Sequence, residues 1–238
     1  MFFQHLMTIR DGDLVLEVGP GAYPHWRSDC LVDKFDNESD TDVSQFGGLP
    51  QRTLGKPLFR MKDNIIPFRD NTFDYVICSH VLEHVHHEEL SGFLSEIMRV
   101  GRRAYIEFPR TLFDYIYDFD VHLNLMDIVD GEIICLPKKY THLEDVKRFS
   151  SYALEMRKKS GFAVEKIGSA TIAVGREFHG NIPLRIYEDE DAFFARLDFG
   201  ESIIGKAGFG WKVTNRIKMA LSAFAKKQSR EYFEGLLK

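Results

Sequence analysis

The sequence has few cysteines and no long apolar run. Its three cysteines lie far apart, show no spacing typical of metal ligands, and each falls within an apolar stretch: Cys30, Cys78 and Cys135. We interpret them as buried free thiols of a reducing compartment. No apolar run approaches the ~20 residues that span a bilayer, and residues 1–13 are too short and too polar for a signal peptide. These absences predict a soluble cytoplasmic protein.

The formal net charge of −5 hides an uneven distribution. Residues 206–238 hold eight Lys or Arg and two Glu, so the rest of the chain is strongly acidic. An acidic body argues against a broad nucleic-acid surface, and we expect no nucleic-acid partner. The basic segment predicts an amphipathic final helix, which can lie on an anionic membrane surface, pack on the domain or form a dimer. Its apolar stripe is Val213, Ile217, Leu221 and Phe224.

Five short apolar runs predict strands that are buried on both faces, as in a parallel sheet. They fall in residues 13–19, 30–35, 57–68, 72–79 and 102–109. Between the fourth and fifth runs, residues 80–101 carry apolar side chains at helical spacing, which predicts one long helix or two short ones. Strands that alternate with helical segments indicate an α/β fold with a doubly wound, mostly parallel sheet.

The pattern changes after the fifth strand. Two apolar runs joined by Asp130-Gly131 predict a β-hairpin, within an insertion at about residues 111–140. An amphipathic helix, one or two closing strands and a short acidic-capped helix follow, at residues 143–160, 162–175 and 188–197. We place a first domain at residues 1–175 and a C-terminal extension, ending in the basic helix, at residues 176–238.

The first strand ends at Gly19-Pro20-Gly21. A dinucleotide site would have the pattern G-x-G-x-x-G and an acidic residue about 20 residues later. Here Pro24 holds the position of the third glycine, and Asp33 follows the second glycine too closely. Both differences argue against NAD or FAD as the ligand.

Three stretches resemble one known family. LEVGPG (residues 16–21) resembles motif I of class I S-adenosylmethionine-dependent methyltransferases. IPFRDNTFDYVICSHVLEHV (66–85) and FLSEIMRVGRRAYIEFP (93–109) are similar to segments of the methyltransferase-11 type, in the same order. The resemblance covers roughly residues 14–110. It implies a Rossmann-like methyltransferase fold and S-adenosyl-L-methionine as the cofactor.

The resemblance also implies a set of cofactor-binding residues. Gly19 and Gly21 would let the backbone approach the ligand, Asp33 would accept hydrogen bonds from both ribose hydroxyls, and Glu17 would chiefly brace the glycine loop. The remaining candidates are Asp63, opposite the adenine, and Ser79 at the end of the fourth strand.

The segment between the first two strands departs from the family pattern. Residues 22–29 are too few for a crossover helix with its loops, so we expect an abbreviated turn. Tyr23 and Trp26 within it either cover the cofactor or fill the space of the missing helix.

Three histidines are candidates for the catalytic groups: His80, His84 and His122. His80 and His84 directly follow the fourth strand, and His122 precedes the hairpin. In an α-helix, His80, Glu83 and His84 would share one face, and some methyltransferases bind a divalent ion through a similar segment. Because many metal-free relatives carry it too, we assign no metal ligand.

Several absences narrow the methyl acceptor. The sequence lacks the N/D-P-P-Y/F motif of enzymes that methylate bases, a Pro-Cys nucleophile and the double-Glu loop of arginine methyltransferases. The prediction is therefore methyl transfer to a hydroxyl of a small-molecule, sugar or glycan-linked acceptor. The alternative is a non-catalytic cofactor-binding or scaffold protein that kept the fold.

Overall fold

The structure is a computed structural model that describes residues 3–34, 51–160, 172–197 and 228–238. Six strands form the main sheet, in the order β3-β2-β1-β4-β5-β8. Neighbouring strands run parallel except β8, which is antiparallel to β5. This confirms the predicted α/β fold with a doubly wound, mostly parallel sheet. The strands are β1 (Val15–Val18), β2 (Cys30–Asp33), β3 (Leu58–Arg60), β4 (Tyr75–Ser79), β5 (Arg103–Pro109) and β8 (Ala173–His179).

Both faces of the main sheet are covered, which explains why its central strands are apolar throughout. On one face, helix α1 (His87–Val100) contributes Phe93 and Ile97 to the largest apolar core. On the other face, the N-terminal segment packs Phe3 and Met7 against a smaller buried cluster. That cluster consists of Val15, Tyr75, Ile77 and Tyr105.

The hairpin lies where the sequence predicts it. Strands β6 (Asn124–Val129) and β7 (Glu132–Pro137) are antiparallel and joined by Asp130 and Gly131. These two residues have φ values of 52° and 85°, the left-handed values that a two-residue hairpin turn requires. Strand β9 (Leu184–Ile186) pairs in parallel with β7, so the insertion forms a second sheet.

Helices flank this second sheet. Helix α2 (Thr111–Tyr117) leads into the insertion and contacts α3 (Leu143–Ser160). The short helix α4 (Glu190–Arg196) is capped by Asp189, which accepts a hydrogen bond from the Ala192 N–H. Both α3 and α4 match the predicted ranges. Strand β8 crosses the domain boundary that we placed at residue 175, so the main sheet continues past it.

The last eleven residues pack onto the main sheet. Helix α5 (Arg230–Glu234) stacks the buried Phe233 on Phe73, with ring centroids 6.3 Å apart. Leu237 forms an isolated antiparallel β-bridge with Phe68. The predicted apolar stripe of residues 213–224 lies outside the described residues. Among the described helices, none has the length and hydropathy needed to cross a membrane.

The connection between β1 and β2 contains no helix, as predicted from its length. Two buried charged side chains hold it instead. Glu17 accepts hydrogen bonds from the His25 N–H at 2.7 Å and from the Ser28 hydroxyl at 2.6 Å. Lys56 Nζ donates to the carbonyl oxygens of His25, Trp26 and Ser28, at 2.7, 3.3 and 2.5 Å. We name residues 19–29 the short crossover.

Replacing Lys56 with methionine is expected to destabilise the protein, because the short crossover loses its cationic donor while its carbonyl groups stay buried. The expected loss in the free energy of unfolding is about 2–4 kcal/mol. Denaturant unfolding measures it. The matched control is Lys147→Met, since Lys147 is exposed and its ion pair is with Glu144 on the same helix. Equal stability of the two variants would contradict the role given to Lys56.

Candidate active site

A cavity of about 500 Å³ lies at the carboxyl ends of β1, β2 and β4. In open α/β sheets, ligands bind at this edge, where the strand order reverses. We name it the donor cavity. It brings together eight of the nine residues that the sequence predicts for the site. These are Glu17, Gly19, Gly21, Asp33, Ser79, His80, His84 and His122.

The glycine turn after β1 needs Gly19 for two reasons. Its φ is 62°, in the left-handed region, and a Cβ atom there would lie 2.4 Å from the Cγ2 atom of Val81. The Gly19 N–H is also fixed by the carbonyl oxygen of Val32, at 2.9 Å. Gly21 has a φ of 55°. The turn therefore presents bare backbone to the donor cavity.

Asp33 ends β2 and is buried at the donor cavity. Its Oδ1 accepts from the Lys34 N–H and its Oδ2 from the Gln51 amide, both at 2.7 Å. Each carboxylate oxygen has a second lone pair with which it can accept a hydroxyl donor. Sequence reasoning missed Gln51, which orients Asp33. The residue belongs to no motif and lies in the connection before β3, so no local signal indicates it.

Asp63 is not brought to the site. It is exposed, has a φ of 50°, and lies in a tight turn closed by a bridge between Lys62 and Ile65. Met61 and Asn64, on either side of this turn, line the donor cavity instead. The spacing rule that suggested Asp63 takes no account of this turn.

The two aromatic residues of the short crossover have different surroundings. Tyr23 lines the donor cavity and its side chain is 63% exposed. Trp26 is absent from the described lining and packs between His25 and Arg27, with centroid distances of 5.8 Å to each. Tyr23 is thus placed to cover a ligand, whereas Trp26 fills space.

His80 has a left-handed backbone, with a φ of 59°, and faces two carboxylates. Its Nδ1 lies 3.4 Å from Glu83 Oε1 and its Nε2 lies 3.3 Å from Glu107 Oε1. Burial lowers the pKa of His80, but the neighbouring carboxylates outweigh this effect and raise the pKa to about 9. At neutral pH the ring is therefore an imidazolium, which favours a role as a donor over one as a base.

Glu107, on β5, is fully buried. It accepts hydrogen bonds from Ser79 Oγ at 2.9 Å, from the Tyr105 hydroxyl at 2.6 Å and from the Phe3 N–H at 3.1 Å. Burial raises the pKa of Glu107, but His80 and the other donors lower it by more than burial raises it. The carboxylate therefore stays charged. Glu107 therefore holds His80 at the end of β4.

Residues 80–86 do not form the α-helix that would place His80, Glu83 and His84 on one face. A 3-10 helix, Leu82–His84, precedes α1 and turns the chain more tightly. His84 instead faces His122, with ring centroids 4.9 Å apart. Burial lowers the pKa of His84, so its imidazole is neutral at neutral pH.

Three contacts hold the start of the insertion against this 3-10 helix. His84 Nδ1 donates to the Val121 carbonyl at 2.8 Å, the Leu123 N–H to the Glu83 carbonyl at 2.7 Å, and the Asn124 amide to the Val85 carbonyl at 2.7 Å. They place His122 at the donor cavity.

His122 has a buried partner that sequence reasoning missed. Its Nδ1 lies 2.6 Å from Oδ1 of Asp114, which is fully buried on α2. Asp114 lies eight residues before His122, on a helix that the sequence did not predict. Only the structure therefore shows that the two side chains meet.

A second cavity of about 400 Å³ adjoins the first. The two share His86 and His122. Most of its lining comes from the insertion and the start of α3, and we name it the insertion cavity. Polar and charged side chains predominate, among them Asp118, Asp120, Asn124, Lys138, Lys139, Thr141, Glu144 and Lys147.

The strand order, the glycine turn and the acidic end of β2 fit the class I methyltransferase fold that the sequence resembles. A family described as "Methyltransferase domain" matches residues 53–104. This match confirms the resemblance to the methyltransferase-11 type and supports S-adenosylmethionine as the cofactor. None of the curated proteins matches the chain.

Several solved structures are similar to this chain. An S-adenosylmethionine-dependent methyltransferase from Mesorhizobium loti is 9% identical, covering 70% of this chain and 90% of its own, with a TM-score of 0.38. A possible histamine N-methyltransferase from Thermotoga maritima is 15% identical, covering 46% and 48%, with a TM-score of 0.32. The YcgJ protein of Bacillus subtilis is 16% identical, covering 47% and 52%, with a TM-score of 0.33. The chain thus spans about half the length of the last two, and such distant likenesses identify no substrate.

Replacing Gly19 with alanine is expected to weaken S-adenosylmethionine binding by about 10-fold or more, because the left-handed backbone costs ~1–2 kcal/mol and the new methyl group displaces Val81. Calorimetry with the ligand measures the change. The control is Gly12→Ala, where φ is 90° but nothing lies within 4 Å of the added Cβ. If both variants bind like the wild type, the glycine turn does not form the ligand site.

Proposed function

We propose that this protein transfers the methyl group of S-adenosylmethionine to a hydroxyl of a small-molecule, sugar or glycan-linked acceptor. The observation that supports this most is that the donor cavity and the insertion cavity adjoin and share lining residues. The donor cavity holds the glycine turn and Asp33, the insertion cavity adjoins it, and His122 lines both.

The donor side suits a nucleoside with a charged sulfur. The carboxylate of Asp33 is oriented by Gln51 and can accept from two ribose hydroxyls. The glycine turn lets the ligand approach the backbone closely. Tyr23 is placed over this side, where its ring can shield the ligand from water.

The acceptor side suits a polyhydroxylated molecule. Asp118, Asp120 and Glu144 offer carboxylate oxygens to hydroxyl donors, and the lysines beside them offer donors to ring and hydroxyl oxygens. Lys138 is paired with Asp118 at 2.8 Å and Lys147 with Glu144 at 3.2 Å. A lining of paired charges favours a neutral polar acceptor over a strongly anionic one.

The reaction is an in-line displacement. The hydroxyl oxygen attacks the methyl carbon, a carbon–oxygen bond forms, and the carbon–sulfur bond breaks with its electron pair going to sulfur. Alignment and exclusion of water supply much of the rate. The hydroxyl must also lose its proton, and Glu83, His84 and His122 are the basic groups on that side. The imidazolium of His80 lies beside Glu107, and its ring N–H groups act as hydrogen-bond donors.

The setting that we propose is the cytoplasm. All three cysteines are buried free thiols, which fits a reducing compartment. A glycan-linked acceptor would bring the protein to a membrane surface, and the basic residues of 206–238 would favour contact with anionic lipids.

Calorimetry with S-adenosylmethionine tests the donor side. The wild type is expected to bind, and Asp33→Asn to bind about 10- to 100-fold more weakly, because a charge-assisted acceptor is lost. The matched control is Asp63→Asn, which is expected to bind normally since Asp63 is exposed outside the cavity. Absence of binding by the wild type would reject the proposed function.

Release of S-adenosylhomocysteine tests the acceptor side, with a panel of monosaccharides, nucleoside sugars and catechols. His122→Ala is expected to lower turnover about 100-fold or more with little change in cofactor affinity. His179→Ala, an exposed histidine of β8, is the control. If the protein binds the cofactor and methylates no hydroxyl compound, the alternative of a non-catalytic binding protein gains support.

A further inference from the structure

We propose that Glu83, His84 and His122 bind one divalent transition-metal ion where the two cavities meet. Each offers one ligand atom, and these atoms all lie within 4.8 Å of one another. His84 and His122 line the donor cavity, and His122 also lines the insertion cavity. An ion held here would therefore face both.

Both imidazoles are oriented as metal ligands are. The Nδ1 atom of His84 lies 2.8 Å from the Val121 carbonyl, an acceptor, so Nδ1 carries the proton and Nε2 has a lone pair. The Nδ1 atom of His122 lies 2.6 Å from the Asp114 carboxylate, which fixes the same tautomer. Histidines that bind metals usually donate their other ring N–H to a carbonyl or a carboxylate in this way.

Glu83 supplies an independent observation. Its side chain is 1% exposed, and neither carboxylate oxygen has a hydrogen-bond partner among the described residues. The nearest cationic atom is His80 Nδ1, at 3.4 Å from Oε1. A buried carboxylate without hydrogen bonds is costly. A cation bound directly between Glu83 and the two imidazoles would give the carboxylate a close ligand contact in addition to its longer ion pair with His80.

The ligand types indicate which ions fit. Two imidazoles and one carboxylate suit Zn²⁺, Mn²⁺, Fe²⁺ or Co²⁺ better than Mg²⁺ or Ca²⁺, which prefer oxygen. Nitrogen and oxygen ligands lie about 2.0–2.2 Å from zinc, so two ligands of one ion are at most about 4.4 Å apart. The limit of 4.8 Å on the present separations is close to that range. Three protein ligands leave one position open in a four-coordinate site, and more than one at the higher coordination number that Fe²⁺ or Mn²⁺ adopts.

This set differs from the one that the sequence suggested. We assigned no metal ligand because the His80-Glu83-His84 spacing also occurs in metal-free relatives. The structure leaves His80 between two carboxylates and brings His122 to Glu83 and His84 from 38 residues farther along the chain. The expectation of no metal rested on spacing within one segment, and the insertion supplies the third ligand.

The role of the ion rests on the proposed function, although its binding does not. An acceptor hydroxyl that coordinates the ion is more acidic, as metal-bound water is. Its proton would leave to solvent through the insertion cavity rather than to His84 or His122, whose lone pairs would bind the ion, and the oxygen lone pair would attack the methyl carbon. An acceptor with two adjacent hydroxyls would occupy two open positions. We therefore infer a vicinal diol, in a sugar or a catechol, as the acceptor class.

Metal binding by the full-length protein tests the inference. After treatment with EDTA and its removal, the protein is titrated in a calorimeter with ZnCl₂, MnCl₂ and MgCl₂, and the visible absorption of added Co²⁺ is recorded. We expect one ion per chain for Zn²⁺, Mn²⁺ and Co²⁺ and weaker binding of Mg²⁺. Glu83→Gln and His122→Ala are expected to weaken binding by more than about 100-fold, and Asp114→Asn by about 10-fold.

His179→Ala is the matched control and should bind as the wild type does. Because His122→Ala removes a packed ring, S-adenosylmethionine binding and circular dichroism establish that each variant is folded. Metal binding that is absent from the wild type, or unchanged by Glu83→Gln and Asp114→Asn, would overturn the inference. If the metal binds and S-adenosylmethionine does not, the proposed function fails while the metal site stands. If S-adenosylmethionine binds and the metal does not, the metal site fails while the proposed function stands.

Discussion

The charged, fully buried carboxylate of Glu107 ties together the N-terminal segment and the ends of two central strands. It accepts hydrogen bonds from the N-terminal segment at Phe3, from the end of β4 at Ser79 and from its own strand at Tyr105, and it faces the imidazolium of His80. Removing one partner of a buried charge usually costs several kcal/mol, because the remaining charge stays without compensation. The left-handed backbone at His80 is held by this arrangement, and the position of the 3-10 helix that follows depends on it.

The site is assembled from loops that are held by side chains rather than by regular secondary structure. On the donor side, Glu17 and Lys56 fix the short crossover. On the acceptor side, the insertion is attached to the 3-10 helix through Val121, Leu123 and Asn124. The sheet supplies the edge at which these loops meet, and the polar contacts determine where each functional side chain lies. Because both cavities share His122, the insertion forms part of the candidate active site.

The sheet, the hairpin and the glycine turn could be predicted because each has a local signal. Strands buried on both faces appear in the sequence as apolar runs. The hairpin turn, whose two residues have left-handed backbones, appears as Asp130-Gly131, and the close approach of Gly19 to Val81 appears as a glycine at the end of the first run. Contacts between distant loops have no such signal. The contacts of Gln51 with Asp33 and of Asp114 with His122 join residues whose spacing matches neither the helix nor the strand period. The turn at residues 62–65 places Asp63 away from the site. Apolar spacing over residues 80–101 suggested one long helix or two short ones, and the structure has a 3-10 helix followed by α1.

Lys56 also has a consequence for how proteins of this shape diverge. A helix distributes its hydrogen bonds over many residues, so its sequence can drift one position at a time. The short crossover concentrates them on two side chains, Glu17 and Lys56, and the ammonium group of Lys56 comes from a different part of the chain. Among descendants of a common ancestor, the length of this connection and the residue at position 56 should therefore change together. A lysine is expected where the crossover is short, and the position is released from that constraint where the helix is present. Such paired change would mark where this lineage separated from relatives that kept the helix.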